Sequence, residues 1–147
     1  MITFAISRLQ QNPWLALFGA WSIALFASLA ALFIGEVMGQ TPCNLCWFQR
    51  AFMFPLAILL AVACYSSDLG AWRYGLPVCI IGWLIAAYHT LLYFGLITPA
   101  IEPCGQGPSC SGANMRILGS IPLPLLSLVA FSAIAGLLLL VRKRSEP

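Results

Sequence analysis

The chain has 147 residues, of which 61% are hydrophobic and 7% charged, with a formal net charge of +3. A soluble domain carries roughly a quarter of its residues as charges, so a water-facing globular surface is excluded. A disordered chain, polar and charged by nature, is excluded by the same numbers, and the few scattered positive charges do not suit nucleic acid.

Four uncharged stretches organise the chain: 27 residues between Arg8 and Glu36, 17 between Arg50 and Asp68, 28 between Arg73 and Glu102, and 25 between Arg116 and Arg142. A helix crosses the hydrocarbon core with about 20 apolar residues. The predicted spans are Trp14–Ile34, Trp47–Cys64, Tyr74–Gly95 and Pro122–Val141, in one membrane domain over residues 1–147. Apolar residues surround each helix, as lipid requires, and nothing alternates as the strands of a membrane β-barrel would. The fold class expected is an all-α four-helix transmembrane bundle. The first apolar stretch is longer than the roughly 7–15 residues of a signal-peptide core, so it is expected to remain as a span. Pro13, Pro77 and Pro122 are expected in first turns, where the missing N–H costs nothing, and Pro55 is expected to bend the second span.

Four spans put both termini on one side, with Arg8, the link around Arg73, and Arg142, Lys143 and Arg144. The other side has Arg116, and Arg50 just inside a helix. The bias of basic residues places the termini in the cytoplasm and turns connections 35–46 and 96–121 outward. Asn114–Leu118 is long enough for a short helix on the membrane surface. There is no internal repeat.

This topology sorts the six cysteines. Cys43 and Cys46 end the first outer connection and Cys104 and Cys110 lie in the second, on the side where disulfides persist. Cys64 and Cys79 fall toward the reducing side and read as packing residues. In Pro42-Cys43-Asn44-Leu45-Cys46, two thiols three positions apart can close a small reducible ring. The helix expected from Trp47 onward places its positive end beside Cys46, which favours a thiolate there. Such a thiolate is the attacking species of disulfide exchange; a purely structural disulfide is the alternative. Haem attachment would need His at position 47, which is Trp. A four-cysteine zinc site would usually repeat the two-residue spacing, which Cys104 and Cys110 do not, so no metal is expected. The Gly- and Pro-rich loop around Cys104 and Cys110 suits exchange with another protein, or a simple staple.

Two ionisable residues lie inside spans. Arg50 is four positions after Cys46, on the same helix face and about 6 Å along it. His89 lies roughly 9 Å below the outer end of the third span by the same rise, so the two are expected to meet at similar depth. Taken singly, Arg50 suits a snorkelling anchor and a functional group equally, and His89 reads as a core histidine bonded to a carbonyl. Beside a dithiol, both suit hydrogen-bond donors to the oxygens of a membrane-soluble electron acceptor.

The run Cys43-Asn44-Leu45-Cys46-Trp47-Phe48-Gln49-Arg50 resembles the C-x-L-C-W-[YF]-[EQ]-R motif of DsbB-type disulfide-forming membrane proteins. His89-Thr90, the second cysteine pair and Ile121-Pro122-Leu123-Pro124 extend the likeness over essentially the whole chain. Gln49 in place of Glu, and the short second loop, look like the BdbC branch. The resemblance implies an inner-membrane, multi-pass oxidoreductase with two redox-active periplasmic loops. Its partner would be a DsbA-type, thioredoxin-like thiol oxidase and its electron acceptor ubiquinone or menaquinone. It further implies that Cys104 forms the mixed disulfide, that Cys110 attacks Cys43, and that Cys46 is released as a thiolate beside the quinone. Arg50, with His89, would stabilise charge on the quinone oxygen. Two other readings compete. One is a vitamin-K-epoxide-reductase-like enzyme, although those look to carry the C-x-x-C on a late span. The other is a non-catalytic four-helix protein with stapled loops. A transporter would want intramembrane carboxylates, which the spans lack.

Overall fold

The computed structural model describes residues 12–97, 116–117 and 121–145. Helix α1 spans Pro13–Leu32, with Asn12 as its cap accepting from the Trp14 N–H, and continues as a π-helical turn over Phe33–Val37. Helix α2 spans Asn44–Ser66; α3 spans Trp72–Tyr93, entered through a 3₁₀ turn at Leu69–Ala71; α4 spans Leu123–Ser145. All four predicted spans exist, and each is long and apolar enough to cross a membrane. Arg116–Ile117 (β1) pairs antiparallel with Ile121–Pro122 (β2). Arg116 and Ile117 are thus extended rather than helical, and the rest of Asn114–Leu118 lies outside the described residues.

Each helix packs on two neighbours: α1 on α2 and α4, and α3 on α2 and α4. On α1 and α3, residue size more than hydrophobicity marks the inward face. On α1, Ala16, Ala20, Ala24 and Ser28 recur every fourth position and are buried. On α3 the buried stripe runs through Gly75, Cys79, Gly82 and Ala86 to His89. Small residues let membrane helices approach closely, where packing rather than the hydrophobic effect holds them together. A Cβ on Gly82 would collide with the ring of Phe131, a fully buried α4 residue, and the Cys79 thiol donates to the Phe131 carbonyl at 3.3 Å. The inward faces of α2 and α4 carry large side chains that fill the space this leaves, with Leu56, Leu60, Phe131, Ile134 and Leu138 fully buried, while Phe26, Ile58 and Val129 face outward.

The two ends of the bundle differ in chemistry. At one, Trp72 lies under the guanidinium groups of Arg73 (5.5 Å) and Arg142 (4.9 Å), joining the start of α3 to the basic end of α4. The tight α2–α3 turn sits there too, with Ser67 in the left-handed region (φ 53°) and Asp68 accepting from the Gly70 N–H and the Tyr74 hydroxyl. At the other end lie the π turn, the connection to Cys43, and the exposed aromatics Trp47 and Phe48. Tryptophan, with its amphipathic ring, favours the membrane–water boundary.

Helix starts differ from expectation in three places. Helix α2 begins at Asn44, three positions before Trp47, because Cys43 has extended backbone and its sulfur accepts from the Cys46 N–H. Pro77 lies inside α3 rather than in its first turn, since the helix already starts at Trp72; its missing N–H leaves the carbonyl four residues back without that partner. Pro122, expected in the first turn of α4, is instead the last strand residue before it, because its pairing with Arg116 keeps it extended and the helix starts at Leu123. Pro13 occupies the first helical position and Pro55 lies inside α2.

Candidate functional site

The Cys43-x-x-Cys46 pair straddles the start of α2. Cys43, the cap, is fully buried, whereas Cys46 on the first turn is half-buried. Both are thiols, with sulfurs 2.8 Å apart. The Cys46 N–H points at the Cys43 sulfur at 3.3 Å, so the positive end of the helix acts on Cys43 rather than on Cys46. The earlier helix start is the physical reason. The Cys46 thiol donating to its sulfur pulls Cys43 down to about 5, with His89 and the Cys46 N–H acting in the same direction against burial, which raises it. Cys43 is therefore the better thiolate of the pair.

His89 reaches the same sulfur from α3. Its Nε2 lies 3.8 Å from Cys43 Sγ, and its Nδ1 lies 3.0 Å from the side-chain nitrogen of Gln49. His89 is fully buried and Gln49 is 8% exposed. A continuous chain of polar groups thus runs from Gln49 through His89 and Cys43 to Cys46. Gln49 was legible only as a departure from a motif. The signal that marks it is an amide placed inside a span, where it must find a partner.

Arg50 takes another direction. Its Nη2 donates to the Ala31 carbonyl of α1 at 2.6 Å, and the guanidinium stacks over Trp47 at 5.5 Å. The π turn brings Gly35 against it: a Cβ there would sit 3.1 Å from Nη2. Arg50 and His89, expected to meet, instead serve different partners: His89 faces Cys43 and Gln49, and Arg50 reaches Ala31.

A cavity of about 790 Å³ opens between α1, α2, α4 and the connection before Cys43. Its walls include Phe26, Ile34, Met53, Phe54 and Leu126, and its polar edge holds Cys43, Cys46, Gln49, Arg50 and Gln40. That volume and that apolar lining with a few convergent polar groups suit a small-molecule site. His89 stands behind Cys43 and is not part of the wall. Among the described residues Gln40 Oε1 is buried without a hydrogen-bond partner, which leaves an acceptor available to something in the cavity.

Cys104 and Cys110 lie outside the described residues. Cys64 occurs near the far end of α2, and Cys79 is buried in the α3–α4 interface, both as free thiols. Among the described residues, one group of side chains could hold a metal ion, Cys43, Cys46 and His89.

Residues 11–141 match the family described as "Disulfide bond formation protein DsbB". The chain is 58% identical over 135 residues to a "Probable disulfide formation protein" of Metapseudomonas resinovorans, covering 91% of this chain and 94% of that one. It is 36% identical to "Disulfide bond formation protein C" of Bacillus subtilis (92% and 99% covered) and 38% identical to a "Probable disulfide formation protein" of Coxiella burnetii (85% and 84%). No solved structure matches. With a dithiol capping a membrane helix and a family match over nearly all of its length, the chain belongs to the DsbB family of membrane disulfide bond formation proteins.

Proposed function

We propose that this protein reoxidises a periplasmic, thioredoxin-like thiol oxidase of the DsbA type and passes the electrons to a membrane quinone. The observation that carries this reading is that Cys46 and Arg50 open into one apolar cavity within the membrane-spanning bundle. The residues present fit a quinone ring. Arg50 offers donors to a quinone oxygen, the Gln40 amide oxygen can accept from the hydroxyl of the reduced quinol, and the remaining wall is largely apolar. A bound quinone would supply a two-electron, two-proton acceptor, either ubiquinone or menaquinone.

The chain's own residues have distinct parts in this reading. Cys104 takes the partner into a mixed disulfide and Cys110 passes the exchange to Cys43. Cys46, the half-buried sulfur on the cavity wall, is the exit for electrons. Once Cys104 rejoins Cys110, Cys43 is released, favoured as a thiolate by the Cys46 thiol, His89 and the helix start, and is poised to close the ring again. Arg50 holds a negative oxygen by preorganised hydrogen bonds, which act strongly where water is excluded. His89, expected to share that task, has its Nε2 toward Cys43, so we assign it to the thiol side. Per cycle one partner dithiol becomes a disulfide, and two electrons and two protons reach the acceptor. The same reading places the protein in the cytoplasmic (inner) membrane with both termini in the cytoplasm and one domain over 1–147. The basic residues clustered at the end away from Cys43 support it.

The test is anaerobic incubation of the purified protein with a reduced thioredoxin-like oxidase and either quinone. One equivalent of quinone consumed per partner disulfide formed is expected. Partner oxidation that proceeds without quinone overturns the acceptor. Cysteines that stay oxidised when quinone is depleted and reduced partner is supplied return both pairs to a structural role.

A further inference from the structure

We propose that the reduced protein holds one thiophilic divalent cation, of the zinc or cadmium type, between Cys43, Cys46 and His89. The proposal requires only that the dithiol becomes reduced during turnover, and it is independent of the acceptor's identity.

The three ligand atoms lie within 4.8 Å of one another. Tetrahedral zinc holds sulfur at about 2.3 Å and nitrogen at about 2.0 Å, so its ligand atoms stand roughly 3.5–3.8 Å apart. The Cys43 sulfur and His89 Nε2 already have that separation, at 3.8 Å. The sulfurs, 2.8 Å apart, must open by about 1 Å to span a tetrahedral edge. Cys46 has room to do this because it lines the cavity.

The surroundings match those of metal sites. A ligating histidine usually has its second nitrogen fixed by an acceptor, and Gln49 meets Nδ1 at 3.0 Å. Turned over, the amide presents its oxygen at the same place, accepts from Nδ1–H and leaves the Nε2 lone pair facing the sulfurs. The Cys46 N–H directed at the Cys43 sulfur offsets thiolate charge. Two thiolates and a divalent ion sum to zero, which suits a buried, apolar setting. Both sulfurs line the cavity, so a fourth ligand such as water would enter from that side, the pattern of a three-ligand zinc site.

Each thiol that binds gives up its proton and no electron moves. A closed Cys43–Cys46 disulfide offers no thiolate, so the site exists only in the reduced state. The ion then occupies the two sulfurs that must rejoin, and it acts as an inhibitor of the reduced enzyme.

The chain contains a single histidine, which provides a direct readout. The test uses protein purified without a histidine tag, in a Cys104→Ser/Cys110→Ser background, reduced with a phosphine and titrated with Cd²⁺. Thiolate-to-cadmium ultraviolet absorption is expected to saturate at one ion per chain, with the His89 ring resonances moving in parallel. Oxidised protein is expected to show neither change. His89→Ala and Gln49→Leu are each expected to weaken binding by about ten- to a hundredfold. If His89→Ala does not insert, Gln49→Leu and the ring resonances decide. Unmoved His89 resonances, undiminished affinity in Gln49→Leu, or equal binding by the oxidised protein would overturn the proposal.

Discussion

Gly35 on the π turn of α1 lies against the guanidinium of Arg50 on α2, so closely that a Cβ would come within 3.1 Å of Nη2 and 3.2 Å of Nη1. A π turn inside a long helix often marks a functional position, and here it leaves room for the head group that lines the cavity. Because the opposing atoms end a flexible side chain, Gly35→Ala is expected to shift them by a few tenths of an ångström and remain active. Gly35→Val is expected to displace the guanidinium, raising the KM for quinone several-fold while the KM for the thiol partner holds. Steady-state kinetics with each substrate varied in turn separate the two outcomes.

Arg50 itself separates an anchor from a ligand-binding group. A snorkelling anchor tolerates lysine. A planar multi-donor head bonded to Ala31 and stacked on Trp47 does not, because lysine cannot reproduce the fork. Arg50→Lys is expected to show a quinone-side defect, and Arg50→Ala a loss of about 10²–10³ in rate. Wild-type quinone kinetics in Arg50→Ala would remove Arg50 from the site.

Cys43 sits with its thiol pulled down to about 5, first by the Cys46 thiol and also by His89. A lowered value means that the thiolate is present above about pH 5 and is lost as pH falls through it. Alkylation of Cys43 in the reduced protein, located by mass spectrometry, is expected to follow that midpoint. In His89→Ala the midpoint moves upward, toward an ordinary thiol. An unshifted profile in the variant would show that His89 does not act on Cys43.

Gly82 and Phe131 test the packing. The ring leaves no space for a methyl group at position 82, and over-filling a close-packed interior typically costs about 1–3 kcal/mol. Gly82→Ala is expected to lower the melting temperature in detergent, and Phe131→Leu in the same chain to recover part of the loss. Additive destabilisation in the double variant would argue against direct contact.

The two cysteine pairs are expected to fail differently. On the proposed function, Cys110→Ser is expected to block electron entry from the partner and Cys46→Ser to block delivery to quinone, with insertion of the four helices preserved in both. In intact cells an impermeant thiol reagent is expected, after reduction, to label Cys104 and Cys110 and to leave Cys79 unlabelled. Labelling of Cys79 would reverse the orientation.

Four spans, two chemically distinct ends, and the dithiol with Arg50 one turn later were legible without coordinates, because each follows from local chain properties. A charge-free stretch long enough to cross lipid has little alternative to a helix, and residues four apart on a helix must share a face. Which face packs inward was not legible from hydrophobicity, because these helices are apolar all round. The stripe Gly75, Cys79, Gly82, Ala86, His89 was written in residue size and becomes visible as an interface only once α4 lies against it. Tertiary structure alone decided that His89, 46 positions from Cys43, would face its sulfur, and that Gln49, 40 positions from His89, would hold the ring from behind. It also decided that Arg50 would reach back to Ala31, 19 positions earlier. Each is a polar contact between helices, and its geometry depends on how two cylinders are rotated against one another. Packing across the whole bundle sets that rotation, and no local stretch of the chain encodes it.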